Sequence, residues 1–151
     1  MFDDDIAAAT SGLPSLDGAQ LDHVGIAVAH LADGAAPFEL LGLGHEGQDE
    51  LVRGQDVHVR TLRAGDVLIE LLAPVSDQGA VARFLAKRGP GLHHLAFRVE
   101  DLDAEIVRLQ GEGVPLIDTT PRPGIHGTRV VFIHPRFADG VLVELVEYPP
   151  T

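Results

Sequence analysis

Hydrophobic and polar positions change period several times along this chain. From Leu21 to Leu31, "LDHVGIAVAHL", the period is two: Val24, Ile26 and Val28 fall on one face, and Leu21, His23, Gly25 and Ala27 on the other. That is the pattern of a strand. "APFELLG" (36–42) reads as helical, and "DVHVRTL" and "VLIELLA" return to strand character across the turn "RAGD". "SDQGAVARFLAKRG" predicts a helix capped by Ser76 or Asp77, with Val81, Phe84 and Leu85 inward. "GLHHLAFRV" is again a strand. "DLDAEIVRLQGEG" is a helix that starts at Asp101, buries Leu102, Ile106 and Leu109, and stops at Gly111 or Gly113. "TRVVFIH" and "VLVELVEY" follow as strands separated by "PRFADG". Further strands are expected near Leu51 and Leu116.

The order of elements repeats, and so do the letters. "LDHVGIAVAHL" matches "LHHLAFRVEDL" (92–102), and "VLIELLAP" (67–74) matches "VLVELVEYP" (141–149). One βαβββ unit is thus used twice, over residues 21–75 and 91–149, joined by a helical linker at 76–90. The expected architecture is one α+β domain spanning 21–151. Residues 1–20 are acidic and turn-rich without sustained periodicity, and read as a mobile tail.

The repeat isolates four polar residues. His94 follows His23 by 71 positions and Glu144 follows Glu70 by 74, so each module carries a His on its first strand and a Glu on its last. Glu70 and Glu144 are single acids in apolar runs, and a buried carboxylate needs a strong partner. A divalent cation held by His23, Glu70, His94 and Glu144 supplies one. Two imidazoles and two carboxylates with open positions suit Co²⁺, Mn²⁺, Ni²⁺, Fe²⁺ or Zn²⁺. Strict alternation places His93 on the opposite face from His94, in a structural or supporting role. His45, His58, His126 and His134 have no counterpart in the other module.

Composition narrows the chemistry. There is no cysteine, which excludes disulfides and thiolate ligands and fits a reducing cytoplasm. No apolar run is long enough to span a bilayer, and the start of the chain has no secretion-signal pattern. A net charge of −12 disfavours nucleic acid as a partner.

At these residues the chain resembles the vicinal-oxygen-chelate superfamily, in which paired βαβββ modules form a cupped mixed sheet around a metal. Within it, the chain resembles the methylmalonyl-CoA epimerases over about residues 21–149. The motifs that carry the likeness are "LDHVGIAV", "IELLAP", "VARFLAKRGPGLHHLAFRVEDLDA", "LIDTTPRPGIHGTRVVFIHP" and "GVLVELVEYP". The resemblance implies a metal at the same four positions, cobalt first, with Mn²⁺, Ni²⁺ and Zn²⁺ compatible. It implies interconversion of the (2R) and (2S) epimers of a CoA thioester through a metal-chelated enolate, and a homodimer. It makes Glu144 a candidate base. The strand position where some relatives carry a second glutamate reads "DVHVRTL" here, which leaves His58 as a weak candidate second base. The glycines of "PRPGIHGTR", Gly124 and Gly127, would let backbone N–H groups approach an oxyanion. Arg122, Arg136, Lys87 and Arg88 are candidates to meet the CoA phosphates. The rival expectations are a lyase of the glyoxalase I type and a metal-free ligand-binding protein of the same fold.

Overall fold

The computed structural model describes residues 16 and 18–151. The expected tail lies almost wholly outside them, and Gln20 already belongs to the first strand. In chain order the elements are β1 (Gln20–Ala27), α1 (Leu31–Leu40), β2 (Gly44–His45), β3 (Glu50–Val52), β4 (Val57–Ala64), β5 (Val67–Pro74), α2 (Ala80–Arg88), β6 (Gly91–Arg98), α3 (Leu102–Gly111), β7 (Arg122–Pro123), β8 (Arg129–Ile133) and β9 (Val143–Glu147).

One curled mixed sheet runs through both modules, in the order β2-β4-β5-β1-β6-β9-β8-β7, with β3 paired to β4. The repeat is visible in the pairing. β1 lies parallel to β5, β6 lies parallel to β9, and β4–β5 and β8–β9 are antiparallel hairpins. The modules meet where β1 runs antiparallel to β6. β1 and β6 therefore occupy the middle of the sheet, flanked on both sides, where backbone is held most firmly.

Three apolar clusters pack helices onto the sheet, and a fourth gathers Ala96, Val130 and Val146 with Phe132 and Tyr148. Leu62, Leu71 and Ala73 pack with Ala35 and Phe38 of α1. Leu145, Val131 and Ile133 pack with Leu102, Ile106 and Leu109 of α3, the three apolar positions that the helical spacing selected. Ala27, Val57, Val59 and Leu72 pack with Val81, Phe84 and Leu85 of the linker helix. Asp101 caps α3 by accepting the Ala104 N–H at 3.0 Å.

Two local expectations differ from the structure. The linker helix begins at Ala80 with Gly79 as its N-cap. Ser76 instead donates its hydroxyl to Asp56 and accepts the Gln78 N–H, a turn outside the helix. In the second module the strand expected near Leu116 is reduced to a single bridge, Leu116 to Ile133. Pro115 has no N–H to give a ladder, although its carbonyl accepts the His134 N–H.

Candidate metal centre

Register places the four repeated side chains on one face, in two neighbouring rows. One row is Glu70, Gly25, His94, and the other is His23, Ala96, Glu144. Each row thus pairs the histidine of one module with the glutamate of the other, across a small residue. All four polar residues are buried.

Three of them converge closely. His23 Nε2 lies 3.0 Å from His94 Nε2, His94 Nε2 lies 3.2 Å from Glu144 Oε2, and His23 Nε2 lies 3.5 Å from Glu144 Oε1. A metal with ligands at ~2.1 Å separates neighbouring donors by about 3.0 Å in an octahedron and about 3.4 Å in a tetrahedron. The triangle has those dimensions. Two buried ring nitrogens facing each other and a carboxylate compete for protons unless a cation joins them, so the donor set fits a divalent ion. Glu70 stands differently. Its Oε2 is 3.0 Å from His23 Nδ1, on the far side of the same ring from the triangle.

The residues preceding each histidine are the main departure from strict alternation. The β1–β6 register slips by one between Leu21 and His23, and again opposite Gly25 and Ile26, so that Asp22 and His93 have no register partner. Each is the extra residue of a bulge, and a bulge re-aims its side chain. Asp22, buried, brings Oδ2 to 2.6 Å from His23 Nδ1. His93 brings its Nδ1 to 3.0 Å from His94 Nδ1. The expected opposite-face placement of His93 is therefore corrected. Both modules hold the Nδ1 side of the repeated histidine with the bulged neighbour and leave Nε2 turned to the triangle.

Charge and burial set the protonation. Burial opposes a charge on His23, but its bonds to Asp22 and Glu144 and the charges of Glu70 and Glu144 outweigh this and lift it to about 10. Burial pushes Glu70 up to about 8; His23 opposes the rise, and Glu144, Asp22 and Glu50 add to it. His94 is held well below the usual imidazole value by burial and by His23 and His93. Burial, a hydrogen bond to Asp22 and nearby carboxylate charge keep the Tyr148 phenol protonated far above its ordinary range. At neutral pH His23 is therefore an imidazolium: its Nδ1–H stays against Asp22 and Glu70, and a cation bound at Nε2 would take the place of the second ring proton. Asp22→Asn removes the anionic partner while keeping its shape. Metal affinity is expected to fall ~10-fold or more, measured by competition with a chelator; unchanged affinity would leave Asp22 no such role.

Above the centre lies an open cleft of about 350 Å³. Its polar floor is Asp22, His23, Glu70 and Glu144, and Val52, Val59, Leu72, Val130 and Val146 form apolar walls. Gly124 and Ile125 of the glycine loop also line it. A Cβ on Gly124 would fall 2.5 Å from Thr128 Oγ1, so the loop packs tightly there. The loop N–H groups are partly engaged: Gly124 donates to the Thr128 carbonyl, and His126 to the Glu50 carboxylate at 3.0 Å. Gly127 has a φ of +70° and serves the turn.

The remaining candidates stay away from the cleft. His58 is exposed, alternating with buried Val57 and Val59, which excludes it from this wall. Arg122 is exposed and paired to Asp118 at 3.1 Å. Lys87 and Arg88 are exposed at the end of α2, with Arg88 over the Phe84 ring, and Arg136 is exposed in a short turn. Asp22 and Glu50 went unrecognised in the sequence. The signal for Asp22 was there, since Asp22 and His93 occupy the same position in the two modules.

A family model described as the glyoxalase/bleomycin resistance protein/dioxygenase superfamily matches residues 22–132. The ethylmalonyl-CoA/methylmalonyl-CoA epimerase of Cereibacter sphaeroides is 39% identical over 83% of this chain and 96% of its own length. The crystal structure of the methylmalonyl-CoA epimerase from Mycobacterium tuberculosis is 44% identical, with a TM-score of 0.79 over 86% of this chain and 88% of that one. The chain belongs to the methylmalonyl-CoA epimerase family of that superfamily. Another epimerase structure similar to it, solved with methylmalonyl-CoA and NH4+, is 35% identical with a TM-score of 0.78 over 86% and 94% of the two chains. In this family member, no helix among the described residues is long and apolar enough to cross a membrane.

Proposed function

We propose that this chain interconverts the epimers of methylmalonyl-CoA at a centre held by His23, His94 and Glu144, with Glu70 braced against Nδ1 of His23 instead of joining the triangle. The observation that carries this reading is the buried triangle of His23, His94 and Glu144, of which His23 and Glu144 line the floor of a cleft with apolar walls. A divalent cation held there, cobalt by resemblance, would supply positive charge opposite the oxygens of a malonyl thioester. The chain does the rest. The carbon between a thioester and a carboxylate holds a weakly acidic hydrogen, and Glu144 is the carboxylate placed to take it. Val52, Val59, Leu72, Val130 and Val146 keep the reacting carbon out of bulk water, which strengthens every charge interaction at the floor. His23 and His94 are fixed by Asp22 and His93, so the floor needs little rearrangement as charge develops. The relatives named epimerases favour this reading over a lyase of the glyoxalase I type. The cytoplasm and a homodimer complete it.

The test is α-proton exchange. Protein loaded with Co²⁺ is incubated with methylmalonyl-CoA in D₂O and followed by NMR. Deuterium is expected at C2 of the substrate, and chelation should abolish the exchange, with readdition of metal restoring it. No exchange in metal-loaded protein would sink the epimerase reading. Exchange that is indifferent to chelation would remove the metal from it.

A further inference from the structure

Inversion at a carbon with one acidic hydrogen requires proton transfer on both of its faces. Glu144 supplies one carboxylate from β9, in the second module. The wall contributed by the first module holds β3 and β4. On β3, Glu50 and Val52 share a face, and Val52 lines the cleft. The register sets Glu50 directly beside Val59, which lines the cleft as well. Glu50 therefore stands at the rim of the wall that faces Val130 and Val146. Its Oε2 accepts the His126 N–H at 3.0 Å and its Oε1 lies 3.4 Å from the same nitrogen, while His126 Nε2 is 3.9 Å from Oε2. These contacts aim the carboxylate toward the loop that carries Gly124 and Ile125 over the cleft. The side chain keeps 40% exposure, which leaves it a path for exchanging protons with water. None of the close metal-site contacts involves it.

We propose that Glu50 is the acid/base residue on the face of the reacting carbon opposite Glu144. The assignment rests on the epimerase reading. In one direction the Glu144 carboxylate takes the α-proton, and the C–H electron pair passes into a carbon–carbon double bond and onto the thioester oxygen. The protonated carboxyl of Glu50 then gives its proton to the same carbon from the other side, and the pair returns as the new C–H bond. Glu144 ends protonated and Glu50 ionised, which is the state needed to accept the other epimer. Solvent resets Glu50 through its exposed edge.

Glu50→Gln separates this role from simple loop holding, because the Gln carbonyl still accepts the His126 N–H. In metal-loaded protein, epimerisation is expected to fall ~100-fold or more. Each pure epimer is then followed in D₂O. One should still exchange its α-proton with retention, through Glu144 alone, and the other should not exchange. Glu50→Asp, with the carboxylate on a shorter arm, should keep exchange in both epimers. Epimerisation by E50Q within ~3-fold of wild type, or equal loss of exchange from both epimers, would overturn the assignment. Where E50Q is poorly folded, loss of exchange from both epimers in E50D would overturn it too. Wild-type protein that exchanges neither epimer would bring down the epimerase reading itself, and Glu50 with it.

Discussion

Glu144→Gln is expected to lower α-proton exchange on methylmalonyl-CoA at least ~10³-fold while leaving the far-ultraviolet circular dichroism unchanged. Gln fills the same volume on β9 between Val143 and Leu145, so the packing of Leu145 against α3 survives. Two functions disappear together. Gln is not a base at neutral pH, and it takes a negative charge from a triangle of donors 3.0–3.5 Å apart. Metal affinity should fall as well, so the comparison is made at saturating Co²⁺, where the residual loss reports the base. Near-normal exchange under saturating metal would remove Glu144 from that role.

Gly25→Ala is expected to be nearly as damaging, although it adds one methyl group. A Cβ at this position would lie 2.1 Å from Cε1 and 2.3 Å from Nδ1 of His94. The ring already occupies the space above Gly25, its register neighbour on β1. The backbone there needs no left-handed angle, so the cost is the collision alone. β1 is flanked by strands on both sides and will not yield, so the ring must leave the triangle. Overpacking of this kind costs about 1–3 kcal/mol of stability, measurable as a lower Tm of the metal-free protein. Loss of one of the ligands should weaken Co²⁺ binding ~100-fold or more, seen in the visible absorption of the cobalt protein. The counterpart residue in the second module is Ala96, beside His23 in register, so the modules are alike in plan and unequal in clearance. A cobalt spectrum and affinity like wild type would show that His94 finds another place within the centre.

Much of the centre is written in the order of the letters. The duplicated period-two strands dictate two modules, because each set of strands must bury its apolar face against the apolar stripe of a helix. Leu102, Ile106 and Leu109 do so against Val131, Ile133 and Leu145. The same duplication marks His23, His94, Glu70 and Glu144, since a strand's alternation fixes which face a residue occupies once its neighbours are assigned. What alternation does not encode is where it fails. Asp22 and His93 reach their histidines only because the β1–β6 ladder slips by one residue at each end, a property of two strands together. The position of Glu70 at Nδ1 of His23, apart from the triangle, depends on ring orientation, which spacing does not carry. The outward turn of His58 and the placement of Glu50 on the facing wall depend on how β3 lies against β4 and how the His126 loop closes over it. Glu50 and His126 lie in different modules, and no local pattern links them. The sequence by itself thus determined the repeated strands, their faces and the paired His and Glu. Pairing across the module boundary decided which nitrogen points where and which carboxylates stand around the cleft, because those choices are made by residues that meet only when the sheet closes.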